Sequence, residues 1–195
     1  DTFKLISPKA NIIHIATHGF FFPDQNDYTY EEKTDTTKKE TLAFRGGNNA
    51  VGVNNFILNK NPLMRSGIVL AGGNEVWVRD EYMNKEDGVL TAQEVTELDL
   101  RKTGLVVLSA CETGLGDIKG SEGVYGLQRA FKMAGVKYII MSLWQVPDAE
   151  TVEFMSLFYT KLSLSNDIKK SFNEAQKEMR KKYDPFYWAA FVLME

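Results

Sequence analysis

Two apolar runs that each end near a glycine dominate the hydrophobic pattern of the chain. The first covers residues 11–19 and the second covers residues 105–108, followed by the sequence Ser-Ala-Cys-Glu-Thr-Gly at 109–114. Apolar runs of this length, rich in branched side chains, are typical of strands buried on both faces of a parallel sheet. A third run of the same kind, residues 136–143, predicts another buried strand.

The sequence predicts helices between these apolar runs and after them. Thr91 followed by Glu94 predicts a capping box that opens a helix to about Leu98. One apolar face (Val124, Leu127, Phe131, Ala134) predicts a helix that begins at Ser121 and ends at Gly135. Further helices are expected over 149–162, with Asp148 favoured as its N-cap, and over 165–183, before a final strand over 187–194.

The alternation of strands and helices predicts an α/β fold with an open, mostly parallel sheet and helices on both faces. Residues 66–73 and 75–78 are expected to form shorter strands. The length of 195 residues suits a single domain over 1–195, and the hydrophobic content of 44% is ample for a core. Residues 23–65 are charged and lack a period, which predicts a polar insert or loop within that domain.

Charge and composition exclude several classes of protein. The net charge of −3, from 23 basic and 26 acidic residues, argues against a nucleic-acid partner, which needs clustered positive charge. A single cysteine excludes an internal disulfide framework, and no apolar run approaches the roughly 20 residues of a membrane span. No leader-like segment is evident, so no membrane partner is expected and a cytoplasmic location is the default prediction.

Candidate chemistry lies where the two apolar runs end. Cys111, taken alone, is more readily interpreted as a small buried hydrophobe. His18 closes the first run, however, and neighbouring parallel strands about 4.8 Å apart would deliver both residues to one edge of the sheet as a cysteine–histidine dyad. His14 lies inside its run and is interpreted as a buried, hydrogen-bonded core histidine.

A glycine-rich stretch after Cys111 raises the alternative of a phosphate-binding loop. Gly114, Gly116 and Gly120 have the wrong spacing for a dinucleotide site, and Lys119 stands in the wrong order for a phosphate loop. Small residues here are better explained as leaving room for an extended peptide. We therefore predict no cofactor and no metal site.

Five short motifs, taken together in their order, are similar to the motif series of one known family. They are Ala16–Gly19, Leu108–Gly114, Gly123-Val124 with Leu127, Ala130 and Phe131, Ser142–Trp144, and Tyr187–Phe191. This series resembles that of CHAT-domain proteins, caspase-like cysteine peptidases of the clan that contains caspases, separases and gingipains. The resemblance implies a caspase-like sheet, lacking its N-terminal strands in this chain, with His18 and Cys111 as the catalytic pair. The chain is then expected to be an excised portion of a longer protein or a processed subunit that pairs with an N-terminal chain.

The expected mechanism assigns roles to further residues. The backbone N–H groups of Gly19 and Cys111 are predicted to form the oxyanion hole. Ser109 shares a strand face with Cys111 by alternation and is expected to line the primary pocket. Caspases have glutamine at the Ser109 position, so the resemblance does not extend to aspartate specificity. Trp144 is a candidate pocket wall, and Asp148 is a candidate acidic pocket floor as the alternative to its N-cap role.

The predicted polar insert directly follows His18 in the sequence, which would place it on the catalytic rim. It either covers or gates the substrate groove or is an ordinary solvated loop. Lys38, Lys39 and Arg45 within it would be natural cleavage points if the enzyme processes itself, although any exposed loop is prone to nicking.

Two functions remain open at this point. The first is a cysteine endopeptidase acting on protein or peptide substrates and switched on by an associated N-terminal sensor, repeat region or partner chain. The second is a catalytically silent caspase-like module for protein interaction.

Overall fold

The computed structural model describes residues 2–22, 56, 59–73, 88–109 and 121–195. The strands in these ranges are β1 (Ile12–Ile15), β2 (His18–Phe21), β3 (Ser66–Val69), β4 (Val89–Thr91), β5 (Leu105–Leu108), β6 (Tyr138–Ser142) and β7 (Phe191–Met194). The α-helices that lie wholly within the same ranges are α1 (Thr2–Ile6), α2 (Ala92–Thr96), α3 (Ser121–Met133), α4 (Asp148–Ser165), α5 (Ile168–Arg180) and α6 (Pro185–Trp188).

The larger sheet has the strand order β1-β5-β6-β7. Strands β1, β5 and β6 run parallel, and β7 is antiparallel to β6. All four residues of β5 are buried because the strand lies in the interior of the sheet and is covered on both faces. The predicted α/β class and the mostly parallel sheet are therefore confirmed.

Helices cover both faces of the larger sheet, as the pattern predicted. On one face, Val106 and Ile139 pack in one cluster with Leu127 and Phe131 of α3. On the other face, neighbouring residues of the same strands pack against α4 and α5 in a second cluster, which we call the α4–α5 cluster. Its members include Leu105, Val107, Ile140, Phe154, Phe158, Phe172, Ala175 and Met179. The alternation of side chains along each strand explains why consecutive residues belong to different clusters.

The apolar run over residues 11–19 is not one strand, which corrects the sequence prediction. β1 ends at Ile15, and β2 begins at His18 in a smaller antiparallel sheet of order β2-β3-β4. Between them, the Thr17 hydroxyl donates a hydrogen bond to the Val69 carbonyl at 2.5 Å. This tertiary contact turns the chain from one sheet to the other, and no local pattern in the sequence shows it.

Two predicted helix signals are confirmed. The Thr91 hydroxyl accepts from the Glu94 backbone N–H while the Glu94 carboxylate accepts from the Thr91 backbone N–H, which completes the capping box of α2. α3 ends before Gly135, whose φ of 102° lies in the left-handed region. The Val136 N–H then donates to the Phe131 carbonyl at 3.1 Å, as in a Schellman ending.

Three predicted boundaries in the C-terminal half are wrong. α4 starts at Asp148 itself, with Pro147 at the N-cap position and no side-chain cap, so Asp148 is not the N-cap. α5 starts at Ile168 because Asn166, at φ 52°, ends α4, and the Asp167 carboxylate caps the Lys170 N–H. Residues 187–188 belong to the short helix α6 rather than to the final strand, which starts at Phe191.

Parts of two predictions lie outside the described residues. These are residues 23–55 and 57–58 of the polar insert, which include Lys38, Lys39 and Arg45, and the expected strand over 75–78. The end of the insert is described: Pro62–Met64 form a 3₁₀ turn, and Arg65 is buried. Within the part of the chain that the structure describes, no helix is both long and apolar enough to cross a membrane.

Candidate active site

The carboxyl ends of three parallel strands meet at one edge of the larger sheet. Ile15 of β1 lies opposite Leu108 of β5, and Leu108 lies opposite Met141 of β6. The Ser109 N–H donates to the Ile15 carbonyl at 2.8 Å, which extends the pairing of β1 and β5 by one residue. This edge is where ligands bind in open α/β sheets.

His18 is the first residue of β2 and lies opposite Val69 of β3. Its side chain is exposed. The backbone on both sides is fixed, because Thr17 is bonded to the Val69 carbonyl and Gly19 lies opposite Ile68. These contacts hold the backbone of His18 in the β2–β3 pairing, three residues beyond the carboxyl end of β1.

Cys111 lies outside the described residues, as do the three glycines that follow it. In the sequence it stands three positions after Leu108, and His18 stands three positions after Ile15. Ile15 and Leu108 are direct partners in the parallel pairing. The strands that precede the two predicted catalytic residues are thus neighbours and end in register.

A hydrogen-bonded cluster of three side chains occupies the same edge of the sheet. The Ser109 hydroxyl lies 2.9 Å from His14 Nε2, and the Tyr159 hydroxyl of α4 lies 3.0 Å from His14 Nδ1. The His14 and Tyr159 rings stack with centroids 5.7 Å apart and planes 30° apart. We call these three residues the Ser–His–Tyr cluster.

Sequence reasoning identified this cluster only in part. His14 is hydrogen-bonded and faces a covering helix, as expected, but it is only partly covered and retains access to solvent instead of being a core residue. Ser109 is half-buried, and its hydroxyl is engaged by His14. Tyr159 was missed, because nothing in a helical sequence 145 residues away points to a ring nitrogen on β1.

The cluster is uncharged around neutral pH. Partial burial beneath α4 lowers the pKa of His14 from the ordinary value of 6.5. Burial also raises the pKa of Tyr159 to about 12. A neutral imidazole has one N–H donor and one acceptor nitrogen, and each neighbouring hydroxyl can donate or accept, so both hydrogen bonds form in either tautomer.

Trp144 and Asp148 lie beyond the end of β6, near the same edge. The Trp144 indole N–H donates to the Phe186 carbonyl at 2.9 Å, and the two rings are 6.3 Å apart. Trp144 is half-buried against the α4–α5 cluster, whereas Asp148 is exposed at the start of α4. The indole is therefore fixed to α6, while the carboxylate has access to solvent.

Comparison with known families decides the assignment. The family model of the CHAT domain matches residues 1–195. This chain belongs to the CHAT-domain family. The mixed α/β architecture with a mostly parallel sheet is consistent with the caspase-like fold that the sequence motifs implied.

Two curated proteins are similar to part of this chain. Tetratricopeptide repeat protein 28 of Homo sapiens is 36% identical over 111 residues, and that of Mus musculus is 33% identical over 109 residues. Each match covers 54% of this chain and 4% of the relative's own length. Both relatives are named as repeat proteins.

In the described residues, no three His, Cys, Asp or Glu side chains are grouped closely enough to hold a metal ion.

Proposed function

We propose that this CHAT domain is a cysteine endopeptidase that cleaves protein substrates with a Cys111–His18 dyad. The observation that carries the proposal is the pairing of Ile15 with Leu108, which ends the two strands side by side at the ligand-binding edge of the sheet. Each predicted catalytic residue follows its strand by the same number of positions. This arrangement supports a shared site for the thiol and the imidazole.

The reaction proceeds in two halves. His18 accepts the proton of the Cys111 thiol, and the sulfur forms a bond to the substrate carbonyl carbon. Collapse of the tetrahedral intermediate breaks the peptide C–N bond, and His18 returns the proton to the departing amine. Water then hydrolyses the thioester with His18 as the base, which releases the acid product and restores the thiol.

The oxyanion is stabilised by backbone N–H groups, and the described geometry supports Gly19 as one donor. The Phe22 N–H donates to the Arg65 carbonyl at 2.8 Å, and hydrogen-bonded pairs alternate with non-bonded pairs along an antiparallel ladder. Gly19 opposite Ile68 is a non-bonded pair by this alternation. Its N–H therefore points away from β3, to the side from which we propose that a substrate oxygen approaches, and the Cys111 N–H is the second donor that we propose.

The substrate side of the site is assigned to Trp144 and Asp148. The Trp144 ring is anchored by its bond to Phe186, so it can form a fixed wall for an apolar side chain. The exposed Asp148 carboxylate would attract a basic side chain. The Ser109 hydroxyl is bonded to His14, and its expected role in lining the primary pocket stays a prediction.

The test is cleavage of a proteome-derived peptide library by the intact protein, together with any repeat or sensor region that it carries. Cys111→Ala and His18→Ala are each expected to abolish the new N-termini seen with wild type while leaving the circular dichroism spectrum unchanged. Ser163→Ala, an exposed change in α4, is the control and should cleave normally. Equal cleavage by the Cys111→Ala protein would refute the proposal.

A second function is favoured by the names of the relatives. Tetratricopeptide repeats are helical repeats that stack into extended binding surfaces, and such a setting also suits a catalytically silent CHAT domain that only binds partners. Alkylation of Cys111 by iodoacetamide separates the two functions. A thiol that reacts at neutral pH, and slows on His18→Ala, supports the peptidase, whereas one that ionises only near the ordinary pKa of about 8.5 supports the silent module.

A further inference from the structure

We infer that the Ser–His–Tyr cluster is a positioning device for the nucleophile: His14, held by Tyr159, fixes Ser109 and thereby the backbone that leads to Cys111. This inference rests on the proposed peptidase function and adds residues to it. His14 and Tyr159 are positioning residues in this inference, because they act through Ser109.

Connectivity is the first argument. Ser109 is one residue beyond β5 and two residues before Cys111, and its backbone N–H is bonded to the Ile15 carbonyl at 2.8 Å. The hydroxyl of the same residue is bonded to His14 Nε2 at 2.9 Å. Ser109 is thus attached to β1 twice, once through its backbone and once through its side chain. With the backbone bond alone, the chain could still rotate at Ser109. The second attachment restricts that rotation.

The anchorage of His14 is the second argument. His14 lies opposite Val107 in the parallel pairing, so its backbone is part of the sheet. Its ring is held from the other side by the Tyr159 hydroxyl at 3.0 Å and by stacking on the Tyr159 ring. Tyr159 belongs to the 18-residue helix α4, whose apolar side chains pack on the sheet. The imidazole is therefore fixed between two rigid elements, as a support for a catalytic geometry should be.

The chemistry of the cluster is the third argument. Ser109 and Tyr159 have hydroxyls that satisfy both nitrogens of His14, and no further polar partner is needed. When the Tyr159 hydroxyl donates to His14 Nδ1, the neutral ring has its proton on Nε2, which then donates to Ser109. In that tautomer His14 cannot accept a proton from Ser109, so the three residues do not form a nucleophilic triad. The cluster is complete as a support in either tautomer. A positioning role thus requires only the distances that the structure shows.

The experiment is a double-mutant cycle on the intact protein, with peptide cleavage and Cys111 alkylation measured in parallel. Ser109→Ala removes the hydroxyl, and His14→Phe keeps a ring against Tyr159 but removes both nitrogens. Each is expected to lower kcat by about 10- to 100-fold, since a small misplacement of a reacting group costs up to roughly 10² in rate, and to change KM less than threefold. Both should also slow alkylation of Cys111, a readout that does not depend on any substrate.

Coupling and rescue distinguish positioning from a general loss of structure. If one hydrogen bond carries the effect, the Ser109→Ala/His14→Phe double variant should lose no more activity than either single variant. Ser109→Thr, which keeps a hydroxyl, should recover most of the rate. Tyr159→Phe should lower kcat by a smaller factor, roughly two- to tenfold, because it removes one hydroxyl and keeps the stacking.

Control variants make the same chemical changes elsewhere. Ser163→Ala removes a hydroxyl from the exposed face of α4, and Tyr138→Phe removes one that bonds Glu195 at the opposite end of β6. Neither should alter kcat or the alkylation rate.

The possible failures are separable. Additive losses of activity in the double-mutant cycle would overturn the positioning role. A rise in KM at constant kcat after Ser109→Ala would also overturn it and would indicate that Ser109 contacts the substrate. Wild-type cleavage and alkylation rates in both single variants would also overturn it, with the peptidase function intact. If wild type does not cleave at all, the peptidase function fails, and the alkylation cycle still decides whether the cluster controls the thiol.

Discussion

At the scale of single residues, the histidines of this chain differ in what surrounds them. His18 is the exposed first residue of β2, whereas His14 is stacked on an aromatic ring and bonded through both nitrogens. Desolvation beneath α4 lowers the pKa of His14, so the folded protein favours the neutral ring more strongly than the unfolded chain does. Folding stability is linked to protonation at this site.

The sign of that linkage predicts how stability depends on pH. Below the ordinary pKa of 6.5 the unfolded chain binds a proton at His14 that the folded protein resists, so the free energy of unfolding should fall as pH is lowered from 6.5 toward the depressed pKa. Urea denaturation of wild type and His14→Phe between pH 7.5 and about 5 tests this. The variant should show a flatter pH dependence, and parallel curves would contradict the assignment.

At the scale of elements, helix ends are determined by local chemistry that the sequence displays. The capping box of Thr91 and Glu94 and the left-handed Gly135 were both predictable because each depends on residues within one turn. α6 was missed although its signals, Asp184 at the N-cap and Pro185 at the first position, are also local. The apolar character of the residues that follow outweighed them in the sequence interpretation.

Removal of the N-cap of α2 should lower the free energy of unfolding moderately. Thr91→Ala loses the hydroxyl that accepts the Glu94 N–H at 3.2 Å, and substitutions of this kind destabilise proteins by about 1 kcal/mol. Thermal or urea denaturation of Thr91→Ser, which keeps the cap, provides the comparison and should stay close to wild type. Equal losses in both variants would assign the effect to the buried methyl group instead.

Any side chain at Gly135 should destabilise the protein. A Cβ there would meet Arg101 Cγ at 2.6 Å and the Arg101 Cα at 3.1 Å, and the φ of 102° disfavours any L residue. Gly135→Ala is therefore expected to destabilise by about 1–2 kcal/mol in urea denaturation. Gly104→Ala, where the nearest atom is 3.6 Å away, is the matched control and should cost less.

At the scale of the whole molecule, most of the buried apolar side chains of the described residues belong to the two clusters on the faces of the larger sheet. Phe154 is fully buried in the α4–α5 cluster, where its ring stacks on Phe191 at 4.2 Å. Phe154→Ala should cost about 3–5 kcal/mol by urea denaturation, because it leaves a large cavity. Phe186→Ala, at a residue that is 52% exposed, should cost far less, and comparable losses would contradict this description of the core.

The global arrangement could be predicted only where it follows from periodicity. Buried strands and amphipathic helices indicated the parallel sheet and its two covered faces, whereas the pairing of β1 with β5 was a condition assumed for the dyad and is an observation of the structure. The division into two sheets could not be predicted, because the local pattern of residues 11–19 is compatible with one strand and the turn at Thr17 depends on Val69, far away in sequence. Tyr159 was unpredictable for the same reason, since only the packing of α4 brings it to His14.

The outward-facing N–H of Gly19 has a consequence for deuterium labelling. Its amide should exchange with solvent quickly in the resting protein, while that of Phe20, in a bonded pair with Gly67, should stay protected. A peptide aldehyde captured by Cys111 would place a hemithioacetal oxygen against Gly19. Its amide should then become slow to exchange, so a single NMR signal would report occupancy of the oxyanion hole.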